Sequence, residues 1–151
     1  MSLAQETEMS REEIDEFLSE RETGVLSLAK DNEPYAIPIS YGYDADSRTF
    51  YMRLVSTPES EKRQFLSSTP TARVVVYDEN ETRTTYRSVV AKGMLEEIDP
   101  DSLTVDQIAQ YGTASRPLFE IWGQDKESLD IKLYEFDPFD IQGRQTDVDR
   151  E

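Results

Sequence analysis

The segment Pro34-Tyr-Ala-Ile-Pro-Ile-Ser-Tyr-Gly-Tyr-Asp44 decides how the rest of the sequence is interpreted. Large apolar residues occupy every second position from Tyr35 to Tyr43, with small or polar residues between them. Because successive side chains of a strand point to opposite faces, the pattern predicts a strand with one core face and one almost bare face. Pro38 lies in its middle and has no N–H for a partner strand. Two interpretations stay open: a shelf for a flat ligand, or an edge strand that Pro38 protects from aggregation.

Further alternating or Val-rich segments on both sides of this strand predict a sheet of about six strands. They cover residues 24–29, 49–54, 71–78, 83–97 and 129–138. Gly93 is expected to form a bulge or a bend in the long fourth segment. Since no strand–helix–strand rhythm is present, the pattern favours a mainly β fold, an antiparallel, closed or nearly closed barrel with short flanking helices.

Three short helices are predicted around the strands. Ser10 and Glu13 form a capping box that starts a helix ending near Glu22. Thr57-Pro58 opens a second helix, and a third bears Val105, Ile108 and Ala109. Residues 116–124 are apolar but too short to classify. We expect residues 1–151 to form a single domain, with residues 1–8 and 145–151 as charged, flexible tails.

The charge balance of the chain is strongly acidic. It has 32 acidic against 16 basic residues, a net charge of −16, and only five lysines. Such a chain repels nucleic acids and anionic membranes, and it is similar to proteins of halophilic organisms that accumulate salt. No apolar run is long enough to span a bilayer, and residues 1–8 do not form a signal peptide, so a cytoplasmic protein is expected.

Cysteine and histidine are both absent. This excludes disulfides, cysteine nucleophiles, Ser-His-Asp triads and histidine-based zinc or haem sites, and no metal site is predicted. Any chemistry is therefore expected to come from a bound organic cofactor.

An anion site is one interpretation of the segment that follows the third strand. Arg53 ends that strand, Ser56 lies in the turn, and Lys62 lies on the helix that Thr57 caps. Helix N-termini and basic side chains bind phosphate groups. The alternative is an ordinary capped helix on which Lys62 and Arg63 pair with neighbouring glutamates.

The order and spacing of these segments resemble the FMN-binding split-barrel family, the relatives of pyridoxamine 5'-phosphate oxidase. The resemblance extends from Gly24 to Gly143 and rests on the segments Gly24–Ala29, Pro34–Ile39, Phe50–Arg53, Lys62, Thr71–Tyr77, Arg87–Gly93 and Phe139–Arg144.

The resemblance implies an FMN cofactor at the interface of a homodimer. The backbone of residues 37–40 would run beside the flavin ring, Ser88 would reach its polar edge, and Trp122 would cover it from the second subunit or serve only as a core or interface aromatic. The cofactor-binding residues that it implies are Ile37, Pro38, Ile39, Ser40, Met52, Arg53, Ser56, Lys62, Ser88 and Trp122.

Two departures argue against pyridoxamine 5'-phosphate oxidation itself. The oxidase has an Arg-x-Val-Leu-Leu-Lys run where Pro34–Asp44 has no basic residue, and its substrate-binding histidine has no counterpart here. We therefore expect an FMN-dependent oxidoreductase acting on a small molecule that the sequence does not identify. A non-catalytic flavin-binding or stress-related protein and a deazaflavin-dependent reductase remain alternatives. No catalytic residue is assigned, although Tyr41 and Tyr51 are possible proton donors.

Overall fold

Seven antiparallel strands form one sheet in the computed structural model, which describes residues 4–56, 65–66, 71–113 and 130–148. The sheet order is β1-β7-β4-β3-β2-β5-β6, and β6 also pairs with β7. This second pairing closes six strands into a barrel, so the predicted antiparallel barrel is confirmed. The strands are β1 (Ala4–Glu8), β2 (Thr23–Lys30), β3 (Glu33–Asp44), β4 (Thr49–Ser56), β5 (Thr71–Glu79), β6 (Thr85–Ile98) and β7 (Asp130–Val148).

Two α-helices flank the barrel in the described residues, α1 (Arg11–Glu20) and α2 (Val105–Thr113), with a 3-10 turn at Pro100–Ser102. The predicted capping box of α1 is confirmed. Glu13 N–H donates to Ser10 Oγ at 3.2 Å, and Ser10 N–H donates to Glu13 Oε1 at 3.0 Å. α1 buries three apolar side chains, Ile14, Phe17 and Leu18, in the core of the barrel.

The alternation seen in the sequence fixes the barrel interior. Leu26, Ile39, Phe50 and Phe136 are almost completely buried, whereas their neighbours along each strand point outwards. The Phe50 ring lies at the centre of an aromatic cluster, with ring centroids 5.2 Å from Tyr41, 4.9 Å from Tyr43 and 5.6 Å from Phe136. The face of β3 that carries the large apolar side chains is therefore the core face, as predicted.

The bulge predicted at Gly93 is confirmed by a shift in the β6–β7 register between Lys92 and Gly93. A Cβ at Gly93 would lie 2.7 Å from the carbonyl carbon of Asp137 and 2.5 Å from Cα of Pro138. Only glycine permits this close approach of two backbones, so the bulge explains why the residue is there.

The two ends of the described chain are paired with each other. Residues 4–8 form β1, which pairs with residues 144–148 at the end of β7. An ion pair joins Arg144 to Glu6 at 2.9 Å. β7 extends beyond its pairing with β4, and its free edge offers backbone partners to the N-terminal segment.

The predicted helix after Thr57 and the apolar segment 116–124 lie outside the described residues, except that Phe65 and Leu66 are helical and buried. No described helix is both long and apolar enough to cross a bilayer.

Candidate functional site

The barrel opens between β3 and β4. Their pairing runs from Asp44–Thr49 only as far as Tyr41–Met52. Beyond that point β3 remains paired with β2 as far as Glu33, and β4 remains paired with β7 as far as Ser56. The two strands therefore diverge, and among the described residues no strand fills the gap between them.

The edge of β3 that faces this gap is poor in hydrogen-bond donors. Tyr41 N–H donates to Glu22 O, on the β2 side, at 2.9 Å. Because successive backbone groups of a strand alternate between its two edges, the nitrogens of Pro34, Ala36 and Pro38 face the gap. Two of these three carry no proton, so the edge presents mainly carbonyl oxygens. Pro38 removes no β2–β3 hydrogen bond, which is why a central proline is tolerated.

The four predicted residues of β3 divide between the two faces. Ile39 is buried in the core and Ile37 packs against it, so their side chains point away from the outer surface. Pro38 is exposed on the outer face, whereas Ser40 is 8% exposed. Of the predicted ring contacts, only the backbone and Pro38 are accessible.

Helix α2 covers the far half of the bare face and packs against β3 and β4. The Tyr111 ring contacts the Tyr51 ring edge-on, with centroids 5.2 Å apart, and Tyr51 lies opposite Gly42. Tyr111 Oη donates to Tyr134 O at 3.0 Å. The small residues of β3 accommodate this helix, so a ligand shelf on this face, one of the two interpretations of the sequence, would end near Ser40.

Arg53 lies on β4 where the two strands separate. Its side chain is half-buried, and no described carboxylate lies within ion-pair distance of it. Other arginines are neutralised: Arg48 pairs with Asp15 at 3.3 Å, and Arg87 with Asp78 at 3.6 Å. Among the described residues, Arg53 therefore has no carboxylate partner.

The remaining predicted contacts are placed less favourably or not described. Met52 is fully buried in the core, so only its backbone can reach a ligand. Ser56 ends β4, and its side chain is not described; Lys62 and Trp122 lie outside the described residues. Ser88 lies on β6, three strands from β3, which corresponds to about 14 Å along the sheet. One chain does not bring Ser88 to the gap.

Neither predicted proton donor is free to act. Tyr41 Oη donates to Leu18 O at 2.8 Å, and burial raises the pKa of this phenol. The pKa of Tyr51 is also raised, mainly by burial, and its ring lies beneath Tyr111. Tyr41 is a core residue that anchors α1, and Tyr51 is the sheet contact of α2.

The sequence did not single out the polar contact between α2 and β7. Gln107 Nε2 donates to Glu135 Oε1 at 2.9 Å. Burial raises the pKa of Glu135, and the nearby Asp137 and Glu96 carboxylates raise it further. One sequence signal could have indicated this contact. Gln107 precedes Tyr111 by four residues, a spacing that places both side chains on one face of the helix. Within the described ranges, no group of three or more acidic side chains is arranged to hold a metal ion.

Residues 10–145 match the model of the family described as pyridoxamine 5'-phosphate oxidase. The chain belongs to this family. The matched region contains the whole of β3 and β4, so the gap lies inside the family's own fold.

Several solved structures share this fold of the pyridoxamine 5'-phosphate oxidase family. A FAD-binding protein from Mesorhizobium loti is 22% identical, with a TM-score of 0.72 over 97% of this chain and 98% of that one. The FAD binding protein from Mycobacterium smegmatis is 17% identical, with a TM-score of 0.64 over 93% and 98%. A candidate 5-nitroimidazole antibiotic resistance protein from Bacteroides thetaiotaomicron is 15% identical, with a TM-score of 0.66 over 98% and 93%. No curated protein matches the sequence significantly.

Proposed function

We propose that this family member binds FMN at the gap between β3 and β4. The observation that carries the proposal is the separation of the two strands at Arg53, a half-buried cation without a described partner. A flat ring fits beside an edge whose ladder ends, and a guanidinium is a forked donor suited to phosphate. The FAD-binding names of two similar structures support a flavin as the ligand.

The residues at the gap suit the two ends of such a cofactor. The carbonyl groups of Ala36 and Pro38 can accept a hydrogen bond from the imide N–H of a flavin, and the Pro38 ring offers an apolar contact. Arg53 would hold the phosphate, and Ser56 and Lys62 are proposed to complete that site. Bound FMN supplies hydride and electron transfer, which the side chains of this protein cannot supply themselves.

We propose that the reaction is an FMN-dependent reduction of a small molecule. The similarity to a candidate 5-nitroimidazole resistance protein supports an electron acceptor as substrate. The proposal places the activity in the cytoplasm, where nicotinamide nucleotides are available as reductants. Oxidation of pyridoxamine 5'-phosphate is not proposed, because Pro34–Asp44 lacks basic residues and the chain lacks histidine.

A non-catalytic flavin-binding protein is the second candidate. It is favoured by the side chains described around the gap, since Tyr41 Oη donates to Leu18 O and the predicted residues Ile37, Pro38 and Ile39 carry no acid or base. A deazaflavin-dependent reductase would use the same scaffold. The visible spectrum distinguishes flavin from deazaflavin, and reduction of the bound flavin by NADH or NADPH, followed by reoxidation with an added nitroaromatic acceptor, distinguishes turnover from binding.

The phosphate contact is tested by Arg53→Gln. We expect FMN to bind about tenfold more weakly, because a charge-assisted hydrogen bond contributes about 1.5–3 kcal/mol. Riboflavin, which lacks the phosphate, should bind the variant as it binds the wild type. Fluorescence titration of the apoprotein with each ligand measures both constants. Arg83→Gln is the matched control, since Arg83 pairs with Glu79 on the distant β5–β6 turn.

Equal loss of both ligands would indicate a damaged fold rather than a lost phosphate contact. No loss of either would overturn the role of Arg53. A wild-type protein that binds neither FMN nor riboflavin would overturn the proposed function itself.

We also propose that the protein is a homodimer. Val105 and Ile108 on α2 are 82% and 57% exposed, so the helix presents an apolar stripe away from its own barrel. Trp122, proposed to contact the flavin of the second subunit, follows this helix in sequence.

A further inference from the structure

The outer face of β2, β5 and β6 carries two cations beside a row of valines. Arg73 on β5 lies directly opposite Lys92 on β6. Two residues further along, Val75 lies opposite both Val25 and Val90. All five point outwards, because the residues that alternate with them on each strand are buried in the core.

Among the described residues, neither Arg73 nor Lys92 forms an ion pair. Like charges directly opposite each other on neighbouring strands are destabilising. In a protein of net charge −16, carboxylates are abundant, and elsewhere they are used: Lys132 pairs with Glu97 at 2.9 Å, and Arg144 with Glu6 at 2.9 Å. No described carboxylate lies within ion-pair distance of Arg73 or Lys92. Asp140 lies opposite Lys92 on β7, but it forms no ion pair with it and accepts a hydrogen bond from Gln142.

Among the described residues, an aromatic ring and a hydroxyl lie beside the two cations. Lys92 Nζ lies 5.8 Å from the centroid of the Phe139 ring, and Phe139 is 62% exposed. Ser27 lies opposite Arg73 on the β2 side and offers a hydroxyl. The described helices pack mainly elsewhere, α2 against β3 and β4 and α1 against β3. The cations, the valine row and Phe139 therefore form a shallow outer surface, called here the Arg73–Lys92 face.

We propose that the Arg73–Lys92 face binds a small organic anion with a flat apolar body. The two cations would hold its carboxylate, sulfonate or phosphate, while the body lies across Val25, Val75 and Val90. The pair of cations and the row of valines are two residues apart along each strand, which is about 7 Å. This spacing matches the distance from the acid group of an aromatic acid to the far side of its ring. The site is separate from the gap between β3 and β4 and does not depend on flavin binding.

The test compares two probes that differ by one charged group, 1-anilinonaphthalene-8-sulfonate and the neutral N-phenyl-1-naphthylamine. Each is titrated by equilibrium dialysis against wild type and Arg73→Gln/Lys92→Gln. We expect the sulfonate to bind the variant about tenfold more weakly, since two charge-assisted contacts are lost. The neutral probe should change by less than about twofold. Lys30→Gln/Arg83→Gln removes the same charge at two strand turns and should leave the binding of both probes unchanged.

Val90→Thr tests the apolar half of the site at nearly constant side-chain volume, and it should weaken the binding of both probes to the same extent. The proposal is overturned if the sulfonate binds equally well to the Arg73/Lys92 variant and to the Lys30/Arg83 control. It is also overturned if light scattering shows that the Arg73/Lys92 variant alone changes oligomeric state, because a second copy would then cover this face. Flavin titrations of the same variants should match wild type, which separates this test from that of the flavin site.

Discussion

At the scale of single residues, the charge of Glu135 is opposed by its surroundings. Burial raises its pKa above the ordinary value of 4.5, and Asp137 and Glu96 add repulsion, while the hydrogen bond from Gln107 acts the other way. A group whose pKa is higher in the folded than in the unfolded state stabilises the fold when protonated. Its contribution is complete below the unfolded pKa and is lost as the pH rises through the folded pKa.

We therefore predict that Glu135→Gln raises the free energy of unfolding at pH 7. The glutamine keeps an oxygen that accepts from Gln107 Nε2 but removes the charge that Asp137 and Glu96 repel. The gain should shrink as the pH falls towards 4, where the wild-type carboxyl is itself protonated. Urea unfolding of both proteins at several pH values measures it.

Glu97→Gln is the control for this prediction. Glu97 lies next to Glu96 on β6, but it forms an ion pair with Lys132 at 2.9 Å, so its removal should not stabilise the protein at pH 7. If both variants are stabilised equally, the effect comes from the net charge of the chain and not from the surroundings of Glu135.

Several single residues were predictable because their roles are local. The capping box of Ser10 and the bulge at Gly93 depend on neighbours in sequence or on the absence of a side chain, and both are confirmed. The direction of the Met52 side chain depends on which residue of β3 it faces. That residue is Tyr41, whose side chain is in the core, and a single strand does not reveal this register.

At the scale of elements, α2 has its apolar stripe on the unexpected side. An apolar stripe usually marks the face of a helix that packs on its own core. Here Gln107 and Tyr111 contact the sheet, while Val105 and Ile108 are exposed. The sequence predicted the helix and its apolar residues, but tertiary contacts with Tyr51 and Glu135 decided its orientation.

This orientation leads to a prediction about assembly. The wild-type protein should scatter light as a dimer at micromolar concentration in high salt. Val105→Ser/Ile108→Ser should raise the dissociation constant at least about tenfold, because burying each aliphatic side chain contributes about 1.5–3 kcal/mol. Multi-angle light scattering over a dilution series measures it, and circular dichroism checks the fold.

Tyr77→Ser is the matched control, since Tyr77 is 72% exposed on the outer face of β5, away from α2. A wild-type monomer would contradict the dimer. A dimer weakened by Tyr77→Ser and not by the α2 variant would place the interface on the other face.

At the scale of the whole molecule, the succession of strands along the chain was predictable from the residues, and the opening of the barrel was implied only by the resemblance to the split-barrel family. Alternation and turn signals predict each strand, and the absence of crossover helices favours an antiparallel barrel. The gap exists because β3–β4 pairing ends at Tyr41–Met52 while their outer edges remain paired. The extent of pairing is set by contacts between segments distant in sequence. The order of strands in the sequence likewise does not show which strands are neighbours in the sheet. For this reason it could not reveal that Ser88 lies three strands from β3.

The net charge of −16 is also a property of the whole molecule. Ion pairs on the described surface, such as Arg48–Asp15 and Arg144–Glu6, neutralise some carboxylates, but acidic residues outnumber basic ones two to one. Repulsion among the excess charges destabilises the compact state more than the expanded one, because folding brings the charges closer together.

We predict that the thermal midpoint rises as KCl is increased from millimolar to molar concentration. The Debye length falls from about 30 Å at 0.01 M to about 3 Å at 1 M, so salt removes the long-range part of this repulsion. Two controls separate screening from the general effect of solutes excluded from the protein surface. Sucrose, which carries no charge, should raise the midpoint equally at pH 7 and near the isoelectric point of about 4.3. KCl should raise the thermal midpoint much more at pH 7, where the carboxylates are ionised, than near the isoelectric point. A midpoint that is unchanged or falls in KCl at pH 7 would contradict the expected similarity to proteins of halophilic organisms.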